Sequence, residues 1–279
     1  MSLLIPALKP LLKEVARVAG LLWEKGWAER NAGNISINVS HLIRPIDLIS
    51  DRKQKHHRLP YCYEHLAGQS ILISVAGARM RDLARKPSRY MVLLHIPEDG
   101  EDIAVVKFAS HTGNLLPSSE LPTHLAVHDM LNSIGSEAQT VLHAHVSPLI
   151  ALGHFAELCH KNNINRTLLA MHPETLFFLN KGIGYVPLVL PGSEDLARLT
   201  ASEFRDHSVV IWEKHGALST ATSPTEAFDL LDILAKSASI YLHCREAGFE
   251  PHGITIYTLK EFYKAYGFEG PLPFQVIDE

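Results

Sequence analysis

Three histidines have the chemistry and spacing of a metal site. His143 and His145 end an apolar run, residues 141–146, that predicts a buried strand. Side chains on a strand alternate between faces, so these two imidazoles point to the same side. A second predicted strand, residues 209–212, would deliver His215 to them. Three neutral imidazoles with an open fourth position are typical of a catalytic zinc, and hydrogen-bonded core histidines are the alternative.

Glu120 stands at a turn that leads into a helix. Residues 118–122 combine two hydroxyls, a carboxylate and an early proline, which predicts a helix from about Leu121 to Leu131. The N-terminus of such a helix offers free N–H groups and a positive dipole end, where an anion would bind. From the residues alone, Glu120 could be a metal ligand, a general base, or a charge that only complements the helix dipole.

A second polar turn follows the first predicted helix. Asn31 and Asn34 flank Gly33, which allows a ligand to approach the backbone closely. Asparagine tolerates left-handed backbone, and a concave turn of this kind can present donors to phosphate oxygens. Taken alone, the pattern is more typical of a helix-to-strand turn that binds nothing.

Helices and strands that could position these residues alternate along the chain. Apolar residues at helical spacing predict a first helix that begins near Leu12 and ends at Gly26. Further strands are predicted at 35–39, 71–74, 90–96 and 103–108, and further helices at 79–85, after a capping box at 223–226, and from Thr258 to Gly267. This alternation predicts a single three-layer α/β/α domain over residues 1–279 with a mixed central sheet. Residues 44–70, with a basic and polar loop over 44–60, are predicted to be a loop-rich insertion.

Composition narrows the class of protein. The net charge is −4 and charges of both signs are interspersed, which argues against a nucleic-acid partner. Three well-separated cysteines, Cys62, Cys159 and Cys244, indicate reduced thiols in a cytoplasmic protein. The apolar start is short and charged residues follow it closely, so we expect neither a signal peptide nor a membrane span.

Four segments, residues 27–34, 118–122, 143–145 and 212–216, occur in an order that resembles the class II (zinc-dependent) sugar-phosphate aldolases. The resemblance extends from about Leu12 to Phe268. The long stretch between the Asn turn and Glu120 is more similar to the L-rhamnulose-1-phosphate aldolases than to the shorter fuculose-phosphate aldolases. The resemblance implies the fold of the class II aldolase, epimerase and adducin head, with a largely antiparallel sheet, and it implies a homotetramer.

The same resemblance assigns roles to individual residues. It makes His143, His145 and His215 the ligands of one Zn²⁺ per chain and makes Glu120 the general base. Glu174 matches a second acidic residue that acts near the aldehyde end of the substrate and can come from a neighbouring subunit. The phosphate- and substrate-binding positions of the family correspond to Asn31, Gly33, Asn34, Gly77, Ser118 and Ser119.

Two positions depart from the family pattern. Ala76 stands where the family tends to place a hydroxyl that contacts phosphate, and Arg79 or Arg81 could compensate for it. Ala32 replaces a glycine, which would be unfavourable if the position required a positive φ. Outside the pattern, His124 and His128 share one helix face, where a packing or hydrogen-bonding role is favoured over a competing metal pair.

The resemblance implies reversible cleavage of L-rhamnulose 1-phosphate to dihydroxyacetone phosphate and L-lactaldehyde in rhamnose breakdown, with a small sugar phosphate as the partner molecule. A second hypothesis is another enzyme of the same scaffold, an L-fuculose-phosphate aldolase or an L-ribulose-5-phosphate 4-epimerase. The third is a non-catalytic, adducin-like scaffold, which would have no need to retain the three histidines and Glu120.

Overall fold

One sheet runs through the computed structural model, which describes residues 6–43, 55–59, 61–106 and 116–275. Its strands are β1 (Asn34–Asn38), β2 (Lys55–Arg58), β3 (Ser70–Ser74), β4 (Met91–His95), β5 (Asp102–Val106), β6 (Thr140–Ala144), β7 (Gly184–Val186), β8 (Val209–Trp212) and β9 (Gly216–Ala221). They lie in the order β2-β5-β4-β3-β1-β6-β9-β8-β7. Among these described strands only the β7–β8 pair is parallel, which confirms the mixed, largely antiparallel sheet.

Ten α-helices accompany the sheet in the described part of the chain. They are α1 (Lys9–Glu24), α2 (Met80–Arg85), α3 (Pro87–Tyr90), α4 (Leu121–Ser133), α5 (Ser147–Leu152), α6 (Lys161–Met171), α7 (Pro173–Phe178), α8 (Glu194–Glu203), α9 (Pro224–Glu246) and α10 (Ile256–Ala265). Short 3-10 turns lie at Pro6–Leu8, Ser40–Leu42, Glu64–Leu66 and Ala156–Leu158. None of the helices among the described residues is long and apolar enough to cross a bilayer.

The helices cover both faces of the sheet. In β3, Leu72 belongs to the large core that includes residues of α1 and α9, whereas Ile71 and Ile73 pack with Leu125 of α4 on the opposite face. The same division occurs at β8, where Ile211 lies in the first core and its neighbours pack with α4 and α8. Alternating side chains of buried strands therefore separate two apolar layers. The expected three-layer arrangement is confirmed.

Most predicted elements occur within a few residues of their expected bounds, but two predictions need correction and several elements were not predicted. The loop predicted for 44–60 is wrong for Lys55–Arg58, which forms β2 and pairs with β5; residues 44–54 lie outside the described part. The last helix is capped by Thr255, whose hydroxyl accepts the N–H of Thr258, so it begins earlier than expected. Four helices between residues 147 and 203, the short helix α3 and the strands β7 and β9 were not predicted. Residues 107 and 108 of the strand predicted at 103–108 lie outside the described part.

The three cysteines are free thiols, as their spacing indicated. Cys62 is exposed, and the other two are partly buried. Cys159, which packs against the large apolar core, donates its weak S–H to the carbonyl oxygen of Gly153 at 3.2 Å.

Candidate active site

Two neighbouring strands bring the three histidines together. His143 lies in β6 and His145 directly follows that strand, while β8 ends at Trp212 and a short turn leads through His215 into β9. Because β6 and β9 pair, the two sources of imidazole meet at one end of the sheet. The ring centroids are 5.1–5.3 Å apart, and one nitrogen from each ring lies within 4.8 Å of the others.

Two of the three imidazoles are oriented by partners on the side away from the cluster. Nδ1–H of His143 donates to the carbonyl oxygen of Ala217 at 3.1 Å, and Nδ1 of His145 lies 2.6 Å from a carboxylate oxygen of Glu29. Nε2 of His143 is buried and has no hydrogen-bond partner among the described residues. An orphaned buried nitrogen costs free energy unless something binds it. A metal ligated by the three rings would satisfy it, so the residues present fit a zinc ion.

Burial keeps His143 and His215 neutral and ready to bind a cation. Burial lowers the pKa of His143, and burial together with the nearby His143 lowers the pKa of His215 to about 4. Both rings therefore carry a free lone pair at neutral pH. The indole of Trp212 packs against these two rings, with centroids 4.7 and 4.9 Å away.

Gly216 is the residue that lets β9 approach β6 directly beside the ligands. A Cβ atom at this position would overlap the carbonyl oxygen of Ala144 and would lie 3.2 Å from Cε1 of His143. Lys214, two positions before Gly216, has φ +56°, so the turn that presents His215 is tightly bent. The Trp212–Gly216 segment is therefore shaped for close packing against the histidines.

Glu120 is the N-cap of α4 and faces the histidine cluster. Its Oε2 lies 3.7 Å from Nε2 of His143, and its Oε1 lies 3.9 Å from Nε2 of His215. Nδ2 of Asn34 donates to Oε2 at 2.8 Å. Burial acts to raise the pKa of Glu120, but His143 and the Asn34 hydrogen bond, with smaller contributions from His124 and His215, hold it below its usual value. The carboxylate is therefore anionic at neutral pH and close enough to act on anything bound to the cluster.

A small polar cavity of about 180 Å³ lies in front of this cluster. Ten of the eleven predicted site residues line it: Asn31, Gly33, Asn34, Gly77, Ser118, Ser119, Glu120, His143, His145 and His215. The bridge between Val75 and Pro117 brings the turn around Gly77 beside the two serines. The structure thus assembles at one place residues that lie far apart in the sequence.

Gly33, which lines the cavity, is a position where the backbone requires glycine. Its φ is +79°, and a Cβ atom would lie 3.3 Å from the carbonyl oxygen of His143. Left-handed backbone strains other residues, and a Cβ atom would be crowded here, so both the conformation and the available space favour glycine. Gly77 also has a positive φ, +72°, but open space surrounds the position of its missing side chain.

The two departures from the family pattern fit the structure differently. Among the described non-glycine residues only Arg30 and Lys214 have positive φ, so Ala32 occupies a conformation that suits alanine. Ala76 lines the cavity and offers no side-chain donor. Arg81 does not compensate for it, because its guanidinium stacks 5.0 Å from the ring of Trp23. Arg79 is exposed and is not one of the residues that line the cavity.

Glu174 is the predicted site residue that does not join the others within one chain. It lies in α7, where its carboxylate is 3.0 Å from Nε2 of His172 and its side chain is 57% exposed. It is not among the residues that line the cavity. Its position on the surface leaves it free to meet another molecule.

Sequence reasoning missed two contacts of the site. Glu29 was part of a recognised motif, but nothing in the spacing indicated that its carboxylate would meet His145 across 116 positions of sequence. Asn34 was assigned to substrate, whereas its side chain contacts both Glu120 and His124. The hydrogen-bonding role favoured for His124 and His128 is confirmed, since both bond to Ser36.

Size does not distinguish this cavity from others. Cavities of about 750 and 1330 Å³ lie elsewhere, one near Lys181 and Asp229 and one near Lys161 and Tyr263. Neither is lined by any of the three clustered histidines or by Glu120. The smaller cavity is the candidate active site because it joins three metal-ligating nitrogens to a buried carboxylate.

Comparisons with known proteins agree with this geometry. A rhamnulose-1-phosphate aldolase from Bacteroides thetaiotaomicron is 38% identical over 94% of this chain and 96% of its own length. A rhamnulose-1-phosphate aldolase from Listeria innocua is 29% identical over 92% of this chain and 93% of its own. Among solved structures, a sugar-phosphate aldolase from Thermotoga maritima has a TM-score of 0.74 and 31% identity, over 88% of this chain and 99% of that one.

A family model covers most of the chain. The model described as the class II aldolase and adducin N-terminal domain matches residues 13–242, which include all three clustered histidines, Glu120 and the polar turn at 31–34. Together with the 38% identical relative, this match and the assembled site lead to one conclusion: the chain belongs to the class II aldolase and adducin N-terminal domain family.

Proposed function

We propose that the chain is a zinc-dependent aldolase that reversibly cleaves L-rhamnulose 1-phosphate to dihydroxyacetone phosphate and L-lactaldehyde. The observation that carries this proposal is the group of three converging imidazoles beside the anionic carboxylate of Glu120. The substrate is supported by the relatives that bear the name rhamnulose-1-phosphate aldolase. An L-fuculose 1-phosphate aldolase of known structure is 19% identical, which supports the fold alone.

His143, His145 and His215 would hold one zinc ion per chain through their converging nitrogens. When bound, the ion would stabilise negative charge that develops on the oxygens of the substrate. Neutral imidazoles suit this purpose because they leave the ionic charge undiminished, and the open side of the cluster faces the cavity.

Glu120 is the proposed acid–base group. In cleavage, the bond between carbons three and four breaks and its electron pair stays on the dihydroxyacetone phosphate fragment. In cleavage, Glu120 must first take up a proton from solvent; it then gives this proton to that carbon and is left as the carboxylate, which in synthesis removes the same proton. A carboxylate with a lowered pKa is ionised at neutral pH, as a base must be, and Oε2 of Glu120 lies 3.7 Å from Nε2 of His143 in the cluster that would hold the zinc.

The phosphate would lie against the turn containing Asn31, Gly33 and Asn34, the turn at Gly77, and Ser118 and Ser119 at the start of α4. These groups offer neutral hydrogen-bond donors, and the helix N-terminus adds a positive dipole end. Holding the phosphate fixes the reacting carbons relative to Glu120, so binding energy contributes to orientation.

At the aldehyde end, the hydroxyl that becomes the carbonyl must lose its proton. We assign this step to Glu174 of the partner subunit, because Glu174 lies exposed and outside the cavity of its own chain. The arrangement requires an oligomer, and we propose a homotetramer. Phe177 and Phe178, next to Glu174, are 42% and 51% exposed, as apolar residues at an interface between subunits would be in one chain. We further propose that the chain forms one domain and works in the cytoplasm, which agrees with its free thiols.

Metal content and cleavage of L-rhamnulose 1-phosphate, measured on the same purified protein, test the proposal. We expect about one zinc per chain and release of dihydroxyacetone phosphate that a chelator abolishes. H145A should lose both zinc and activity, whereas H154A, which changes an exposed histidine, should keep both. Full activity of H145A without zinc would contradict the metal assignment.

Other outcomes select the other hypotheses. Zinc without cleavage would favour a related substrate, with L-fuculose 1-phosphate and L-ribulose 5-phosphate as the next compounds to assay. Neither zinc nor cleavage would favour a non-catalytic scaffold.

A further inference from the structure

A continuous hydrogen-bonded network of polar side chains leads from Glu120 into the interior between the sheet and α4. Asn34 donates from Nδ2 to Oε2 of Glu120 at 2.8 Å and bonds through Oδ1 to Nε2 of His124. Nδ1 of His124 lies 2.7 Å from Oγ of Ser36, which lies 2.8 Å from Nε2 of His128. Behind Glu120, all four side chains belong to buried residues, 8% exposed at Asn34 and at most 1% at the others. The roles proposed above involve only Glu120 and Asn34.

The periods of a strand and a helix bring these residues into register. Asn34 and Ser36 are two positions apart in β1 and so share a face of the sheet. His124 and His128 are four positions apart in α4 and so share a face of the helix. The two pairs interlock, with each histidine reaching the strand. Apolar residues could fill this buried interface, but polar side chains occupy it, and each of them depends on another for its hydrogen bonds.

Every hydrogen bond in this network of side chains has one possible direction. A carboxylate only accepts, so the amide of Asn34 must turn its NH₂ towards Glu120 and its oxygen towards His124. His124 must then donate from Nε2. Burial lowers the pKa of His124 to about 4, so at neutral pH the ring has one N–H and its Nδ1 accepts the hydroxyl proton of Ser36. The oxygen of Ser36 is left to accept the Nε2–H of His128.

We propose that His124 and Ser36, supported by His128, are positioning residues that lock the amide of Asn34 in the one orientation that donates to Glu120. If the amide inverted, its oxygen would face the carboxylate and two acceptors would repel each other. The locked amide holds one carboxylate oxygen near His143 and the other near His215. This inference rests on the proposed function, in which Glu120 is the base.

The hydrogen bonds of this network predict which substitution would allow the amide of Asn34 to invert. S36A removes the hydroxyl that fixes His124, so the ring can move its proton to Nδ1 and accept at Nε2, which permits the inverted amide. S36T keeps the hydroxyl. S237A is a matched control, because it deletes another fully buried hydroxyl, which bonds Thr175 at 2.7 Å, in α9 outside the cavity.

The test follows exchange of the carbon-bound proton of dihydroxyacetone phosphate, with zinc content measured in parallel. We expect S36A to keep zinc and KM while kcat for exchange falls roughly tenfold, a fraction of what a general base contributes. S36T should recover most of the rate, and S237A should match the unsubstituted protein. Unchanged exchange in S36A would overturn the proposal, as would an S237A loss of equal size.

A spectroscopic readout keeps the inference testable if S36A does not fold. Nitrogen-15 NMR of histidine-labelled, unsubstituted protein should show His124 protonated at Nε2 and bare at Nδ1, and folded S36A should show the other tautomer as well. A ring protonated at Nδ1 in the unsubstituted protein would overturn the assigned directions. Absence of exchange in that protein would instead contradict the proposed function, and the NMR result would still decide how Asn34 is held.

Discussion

Glu29 shows how a single side chain can influence a metal site without entering it. Its carboxylate meets the nitrogen of His145 that points away from the cluster, 2.6 Å away. Burial acts to raise the pKa of Glu29, but the hydrogen bond from His145, a backbone hydrogen bond and further electrostatic contributions together hold it below its usual value. A carboxylate on the far nitrogen fixes the tautomer and orientation of a ligating imidazole and makes it a better ligand.

Replacing Glu29 should therefore weaken zinc binding while leaving the three ligands in place. We expect E29A to lose roughly 10- to 100-fold in zinc affinity, the usual effect of removing such a partner. E29Q keeps an oxygen that can accept from His145 and should lose less. Competition with a chromophoric chelator measures the affinities. E24Q, at an exposed position of α1, is the control, and an E29A affinity equal to that of E24Q would refute the role.

The residues that sequence reasoning found and those it missed differ in one respect. His143 and His145 follow the period of a strand, so their common side could be predicted from spacing alone. Glu29 reaches His145 only because the fold brings together residues 116 positions apart. A local pattern contains no signal for a contact of that kind, although it can identify the carboxylate as part of a polar turn.

Secondary structure elements were predictable where their apolar pattern was long or their caps were distinctive. The long helix α9 begins behind Ser223, whose hydroxyl accepts the N–H of Glu226, as the capping pattern indicated. In contrast, α5 and α7 contain only six residues each, too few for a helical period to be recognised. β2 has the sequence Lys-His-His-Arg, which gives no apolar alternation, and only its pairing with β5 makes it a strand.

The contact between β6 and β9 is the most restrictive packing in the site, and it should be sensitive to one added carbon. G216A would push β9 away from the carbonyl of Ala144 and from the ring of His143. We expect a loss of about 1–3 kcal/mol in the free energy of unfolding, as for other overpacked sites, together with weaker zinc binding.

G20A is the contrasting variant in α1. A Cβ there would lie 3.8 Å from that of Ala84, an ordinary contact, so helix propensity should stabilise the protein by about 0.5–1 kcal/mol. Urea unfolding of both variants measures these changes. If G216A were as stable as G20A and bound zinc normally, the close approach of the two strands would not be required.

At the scale of the whole molecule, the position of Glu174 makes a specific prediction about assembly. If the site of one chain uses Glu174 of the partner subunit, E120Q and E174Q should each be inactive as pure oligomers. Oligomers that contain both chains would then hold some sites with both carboxylates intact. Co-expression of the two variants with different tags, followed by purification of the mixed species, isolates such oligomers.

We expect the mixed oligomers to recover a measurable share of cleavage activity. If Glu174 worked within its own chain, every site would lack one carboxylate and no activity would return. Mixing E120Q with H145A provides the control, because both substitutions affect residues that line one cavity and cannot complement each other. Light scattering on the same samples measures the number of 31.0 kDa chains in the assembly.

The order of strands in the sheet divides the chain into two consecutive parts. Strands β1 to β5, from residues 34–106, form one contiguous block, and β6 to β9, from residues 140–221, form the other. Among the described strands, the two blocks pair with each other only through β1 and β6, and Asn34 lies opposite His143 in that pairing. The three clustered histidines and Glu120 belong to the second part, whereas the polar turn at 31–34 and Gly77 belong to the first.

A chain cut between Val106 and Leu116 would therefore yield two fragments, each with its own block of strands and neither with a whole site. His143, His145 and His215 would be in one fragment, and the Asn34 amide that holds Glu120 would be in the other. Catalysis by the recombined pieces would report that the β1–β6 junction had re-formed. The enzyme could then serve as its own split reporter, with turnover as the signal of reassembly.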